Sequence, residues 1–205
     1  MEAAARLTAI RLPFWTLAIC AGAGLVFLSP FLESVLIYDR SAIAHGELWR
    51  LVTGNLVHYS AAHLGYDLLA LFVAGAMIET SGYRYYPILC FAAATFIGMV
   101  LYWSEPAMLY YAGLSGVATA AIVYLCLHGL AEKGAWRWVC AAALFGLGIK
   151  VSAEFTLNES LLVASGSSEF LPVPLSHLVG ASAALFLFVL SRLRARNLPQ
   201  ISRPP

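Results

Sequence analysis

The sequence predicts an all-α polytopic membrane protein, a six-transmembrane-helix bundle forming one domain over residues 1–205. Three observations carry that prediction. Of the 205 residues, 61% are apolar and only 11% charged, against about 25% charged in a soluble domain. The mean hydropathy is +0.80. Six apolar stretches recur, at about 12–29, 59–79, 85–103, 112–130, 135–152 and 173–191, each near the roughly 20 residues a helix needs to cross a bilayer. This composition excludes a soluble globular enzyme and a disordered chain, and it leaves no room for a separate water-soluble domain.

Taken in order, the first stretch follows Arg6 and Arg11 and imitates a secretory signal. Its apolar run continues through Gly24 to Leu28 before Ser29-Pro30, so it reads as an uncleaved first span. The loop after it, about residues 30–58, is the longest between spans. The second span carries His63 and Asp67 and has the weakest hydropathy case. The remaining four are plainly apolar and joined by short connections. Orientation follows from the basic residues. Arg6, Arg11, Arg84, Lys133, Arg137, Arg192, Arg194, Arg196 and Arg203 fall on one side of a six-span chain, and only Arg40, Arg50 and Lys150 on the other. The positive-inside rule then places both termini in the cytoplasm, with 192–205 a basic tail beside anionic lipid. Tyr83, Tyr85, Tyr86, Trp136 and Trp138 mark the inner interface, and Tyr102, Trp103, Tyr110 and Tyr111 the outer one.

A net charge of +1 gives no global field to attract nucleic acid. Cys20, Cys90, Cys126 and Cys140 all lie inside apolar runs without metal-ligand spacing, which predicts small hydrophobes rather than a disulfide framework or a zinc site. No metal and no cofactor is expected.

Spans two, four and six all begin on the outer side, so their first turns share a depth. Those turns carry His58 and His63, then Gly113-Leu114-Ser115-Gly116, then Ser176-His177. Singly, each has an ordinary reading: small residues let helices approach, an interfacial histidine needs no ligand, and His63 and Asp67, four apart on one face, can simply pair. Polar groups are costly in lipid unless they face the bundle or a wet cavity, and their coincidence at one level points to nucleophilic catalysis. A serine hydroxyl needs a base within hydrogen-bond reach, and His177 is the candidate for Ser115. The oxyanion formed on a carbonyl needs donors, for which the Ser115 amide at an open helix start and His63 are suited. Gly116 on one helix, with Gly180 and Ala184 on the other, would let spans four and six come close.

These residues resemble the rhomboid intramembrane serine proteases. The resemblance covers residues 49 to about 184. It rests on Trp49-Arg50 in the first loop, His58-x4-His63 on span two, Gly75 and Glu79 at that span's inner end, Gly113-x-Ser115-Gly116, and His177-x2-Gly180. It implies a rhomboid-like bundle in which Ser115 is the nucleophile and His177 the general base of a dyad without a carboxylate. It further implies that His63 lines the oxyanion hole, that the first loop lies partly in the outer leaflet, and that span five and the fifth loop gate substrate. Membrane-anchored protein substrates and the lipid bilayer are the implied partners, and a bacterial inner membrane the implied location. The six-span size, the compact Ser104–Ala112 loop and the Tyr110–Gly116 segment look like the rhombosortase branch, whose members are implied to remove C-terminal Gly-Gly-type sorting tails from exported proteins.

Three positions depart from the family pattern. Asp67 stands where an asparagine is usual, and it is protonated by burial, paired with His63, or part of a differently built oxyanion hole; the four-residue spacing favours the pair. Thr119 replaces a tyrosine that would stack on the histidine, and Ala184 a glycine. Glu79 reads as a holder of helix ends, whereas His45 and His128 fall outside the site layer. The fifth loop, Ser152 to Pro172, contains Ser165-Gly166-Ser167-Ser168 and three glutamates and reads equally as a lid or as a solvated connector. Asn158-Glu159-Ser160 matches a glycosylation sequon, which has no meaning in a bacterium. The rival readings are a catalytically inactive rhomboid-like protein that binds and escorts membrane helices and, more distantly, a transporter using Asp67 and the histidines as a proton path; the latter predicts an internal repeat, and the sequence has none.

Overall fold

The computed structural model describes residues 12–157 and 173–197. The sequon and most of the fifth loop lie outside them, as do Arg6, Arg11 and Arg203. The first apolar stretch, expected at 12–29, forms a single helix shorter than a full span, and the start of the expected first loop forms a second helix at a sharp angle to it. Helix α1 (Phe14–Phe27) has 14 residues, roughly 21 Å of rise, and is followed after a 109° bend by α2 (Pro30–Leu36). The cause is local. Ser29 Oγ accepts from Leu32 N–H, and Pro30, which has no N–H to donate, opens the new helix at its first position.

The first loop is structured throughout. After α2 come the two-residue strand β1 (Tyr38–Asp39), α3 (Arg40–Ala44), α4 (Arg50–Thr53) and a 3-10 turn over Gly54–Leu56. Asp39 Oδ1 accepts from Ser41 and Ala42 N–H and so starts α3. Trp49 and Arg50 hold the end of α2. Trp49 Nε1–H donates to Val35 O, and Arg50 Nη1 donates to Ser34 O and Ile37 O, carbonyls that a helix C-terminus leaves without intrahelical partners. Arg50 Nε donates to Glu47 Oε2 at 2.7 Å, completing a buried cation's shell.

The long helices follow: α5 (Ala61–Ser81), α6 (Tyr86–Ser104), α7 (Ser115–Gly129), α8 (Ala135–Leu157) and α9 (Pro174–Asn197). Among the described residues α5, α6, α8 and α9 are each long and apolar enough to cross a membrane, and the bent α1–α2 pair makes a fifth candidate. The fourth expected span, 112–130, is shorter than predicted. With 15 residues α7 rises roughly 22 Å, because it starts at Ser115 below the turn carrying strand β2 (Tyr110–Tyr111). Two other boundaries move outward. Helix α8 runs to Leu157 rather than ending at 152, joined along its side by the Lys150–Glu154 pair, and α9 continues through the arginines to Asn197, where cations suit a helix C-terminus.

Helix α7 is the hub. Of its 15 residues 11 are buried, and it packs against α5, α6, α8 and most extensively α9. Strand β1 pairs antiparallel with β2, Tyr38 opposite Tyr111 and Asp39 opposite Tyr110. Arg40 N–H donates to Leu109 O, and its guanidinium sits 4.5 Å over the Tyr102 ring, so the first loop is pinned to the segment that leads into α7. At the other end Glu79 accepts from Trp15 N–H, Thr16 N–H and Thr16 Oγ1–H, satisfying the open amides of α1. His128 is packed among Tyr83, Tyr124 and Phe188. All four cysteines are free thiols.

Candidate active site

Four helices bring their ends together at one place, the starts of α5, α7 and α9 and the end of α8. Ser115 is the first residue of α7, and the chain reaches it through Gly113, whose φ of +134° is one that side-chain-bearing residues rarely adopt. The same glycine lacks the Cβ that would stand 2.9 Å from His63 Cε1. Tyr111 Oη–H donates to Gly113 O at 3.1 Å; burial pushes the Tyr111 hydroxyl above the ordinary phenol range, so it stays a donor. The first amide of α7 to enter the helical ladder is Ala118 N–H, bonded to Leu114 O, and the amides before it form the open helix start.

His177 lies in the first turn of α9. Its Nε2 is 3.0 Å from Ser115 Oγ. The approach depends on two glycines. A Cβ on Gly180 would meet Gly116 O at 2.1 Å, and one on Gly116 would meet Ser176 O at 2.9 Å, so α7 and α9 touch backbone to backbone. Ser176 Oγ–H donates to Val173 O and holds the start of α9. Ala184 is fully buried on α9, and Thr119 is buried one turn after the serine.

Sequence reasoning missed the residue behind the histidine. Glu154 Oε2 is 3.1 Å from His177 Nδ1, and Glu154 Oε1 accepts from Lys150 Nζ at 2.7 Å. The expected loop boundary at Ser152 places this glutamate in a segment that reads equally as a lid or as a solvated connector, whereas it lies on α8. A signal was present in the spacing, since Lys150 and Glu154 are four apart, the separation at which opposite charges pair on a helix.

A second polar cluster flanks the serine. Leu114 N–H donates to Asp67 Oδ2 at 2.9 Å. The same oxygen is 3.1 Å from His58 Nε2 and 3.2 Å from His63 Nε2. His58 is held from its other side by a 3.2 Å contact between Nδ1 and Leu56 O. Asp67 therefore meets His63, as the spacing suggests, and also His58, which no helical periodicity relates to it. One carboxylate oxygen gathers two imidazoles and the amide that precedes Ser115. Ligand atoms of His58, His63 and Asp67 lie within 4.8 Å of one another, the only donor set of this kind among the described residues, but their facing atoms already engage each other and Leu114.

Trp49, Arg50 and Glu79 find their hydrogen-bond partners away from these residues and fasten helix ends, as described above. An imidazole nitrogen against a serine hydroxyl, with a carboxylate behind it and a helix N-terminus beside it, is an arrangement suited to proton transfer and to stabilising a developing oxyanion.

No curated protein matches the chain. The family model for the Rhomboid domain matches residues 45–192, a stretch that runs from the first loop through the helices carrying His63, Ser115 and His177. The chain belongs to the rhomboid family, an integral membrane family of intramembrane serine proteases.

Proposed function

We propose that this protein is an intramembrane serine endopeptidase in which Ser115 attacks and His177 is the general base. The observation that carries the reading is the 3.0 Å approach of His177 Nε2 to Ser115 Oγ. In the first step the Oγ–carbon bond forms as the hydroxyl proton passes to Nε2, and the carbonyl electrons collect on oxygen. The Ser115 amide at the start of α7, with His63 packed against Gly113, supplies the donors for that oxyanion. On collapse the carbon–nitrogen bond breaks and Nε2–H protonates the leaving amine. Water then attacks the acyl carbon as the same imidazole takes its proton, the carbon–Oγ bond breaks, and the imidazole returns that proton to Ser115 Oγ.

Asp67 is a positioning residue in this scheme. It fixes Leu114, and with it the direction of the Ser115 amide, while holding His63 in place. The substrate is a membrane helix that enters sideways and unwinds locally, since an intact helix keeps its carbonyls in internal hydrogen bonds. Glycine or alanine at the cut lowers the cost of unwinding. The short 104–112 connection and the Tyr110–Gly116 sequence support the rhombosortase branch, with C-terminal Gly-Gly-type tails of exported proteins as substrate. The asymmetry of nine basic residues against three supports cytoplasmic termini in a bacterial inner membrane.

The test is a reconstituted cleavage assay. The purified protein is placed in liposomes with a single-span substrate bearing a glycine pair, an apolar helix and a basic tail. Wild type should cut it, and Ser115→Ala should reduce the rate by about 10³-fold or more. Binding of that substrate by both proteins without cleavage by either would instead make the chain an escort of membrane helices.

A further inference from the structure

We infer that Glu154 is the third member of the catalytic array, a positioning residue on α8 that orients His177 and stabilises its protonated form. This rests on the protease reading above and departs from the carboxylate-free dyad that the family resemblance implies. The geometry is a continuous line from Ser115 Oγ to His177 Nε2 at 3.0 Å and from His177 Nδ1 to Glu154 Oε2 at 3.1 Å. A carboxylate at Nδ1 accepts a hydrogen bond from that nitrogen's N–H, which leaves the Nε2 lone pair facing the serine. When Nε2 accepts the hydroxyl proton, the ring becomes a cation with the carboxylate already beside it. Glu154 itself keeps its charge throughout.

Burial strengthens the argument. Glu154 is 1% exposed, and a carboxylate removed from water is retained only where partners compensate its lost hydration. On α8 only Cys140 and Glu154 are buried among the described residues. A helix that fully buries just one other side chain among the described residues thus sends a carboxylate inward, onto the histidine. Lys150 on the same helix offsets the charge through the other oxygen. The groups that meet His177 are Glu154 and, through it, Lys150 from α8, and Ser115 from α7; the Asp67–His58–His63 cluster is joined to the residue before that serine, through the Leu114 amide.

The experiment measures kcat and KM against pH for the liposome-reconstituted full chain, with the single-span glycine-pair substrate, in wild type, Glu154→Gln and Lys150→Gln. Glu154→Gln should lower kcat by about 10²- to 10⁴-fold with KM little changed, since loss of the orienting carboxylate acts mainly on the transition state. Its acidic limb of kcat/KM should move to lower pH, because an opposite charge favours the protonated base. Lys150→Gln removes the charge that offsets the carboxylate, so its acidic limb should move to higher pH. A glutamate that merely tethers α8 to α9 would move neither limb, and unmoved limbs in both variants would overturn the inference. Should Glu154→Gln fail to fold, the direction of the Lys150→Gln shift decides. A wild-type protein that cuts nothing removes the protease reading itself, whereas a cutting wild type with an unaltered Glu154→Gln removes only the third member.

Discussion

Asp67 shows how one oxygen organises a site. It accepts the Leu114 amide and sits within 3.2 Å of two imidazole nitrogens, so replacing it leaves several buried polar groups without their partner. A hydrogen bond to a charged group contributes about 1.5–3 kcal/mol. Asp67→Ala should therefore lower kcat/KM by roughly ten- to a hundredfold, read by substrate cleavage in liposomes. Unchanged proteolysis at every pH would remove the positioning role. The His63–Asp67 contact was legible in the sequence because helical periodicity brings positions four apart to one face. His58 joins the same carboxylate across the turn that precedes α5, and no periodicity relates it to Asp67. Glu154 escaped for a different reason. Hydropathy fades at Ser152, so a reading by apolar runs ends the span there, while the backbone continues in helical form to Leu157 and carries Glu154 with it, one turn beyond Lys150.

Helix α7 depends on small residues where it meets α9. A Cβ on Gly180 would stand 2.1 Å from Gly116 O, and that oxygen belongs to backbone, which cannot rotate away. Gly180→Ala should separate the two helices, cost about 1–3 kcal/mol of stability by overpacking, and lower cleavage because the serine and histidine separate with them. Thermal unfolding in detergent and the cleavage rate together check this; a fully stable and fully active variant would contradict the close packing. Glu79 serves the opposite end. Its carboxylate takes Trp15 and Thr16 amides at the start of α1, and Glu79→Ala should cost about 1–2 kcal/mol, as loss of a helix cap does, with kcat close to wild type. The breadth of these elements was readable from apolar length, and their breaks were not. Ser29-Pro30 looks like an ordinary loop start in sequence, but a capping serine followed by proline begins a new helix at a sharp angle. The start of α7 at Ser115 rather than 112 comes from the β1–β2 pairing, a contact between segments about 70 residues apart.

At the scale of the molecule, a long loop and two short strands hold the lead-in to α7 while the surrounding helices enclose it. The arrangement sets Ser115 at a helix start inside the bundle rather than on a water-exposed loop. Charge asymmetry supports cytoplasmic termini, and thiol labelling checks it. A cysteine introduced at Arg194 should react with a membrane-impermeant reagent only in inside-out vesicles, and one introduced at Leu48 only in right-side-out vesicles. The opposite pattern would invert the topology and put the site on the cytoplasmic side. The family and the bundle were within reach of the sequence, because spaced polar motifs on apolar helices are rare, whereas the carboxylate behind the histidine needed coordinates.

The most direct test of the central claim is mass spectrometry of the purified protein after treatment with a fluorophosphonate. One adduct should form on Ser115 in wild type, and His177→Ala should slow its formation by at least about 10³-fold. Equal labelling of both proteins, or an adduct on a different serine, would contradict the assignment of Ser115 as a nucleophile activated by His177.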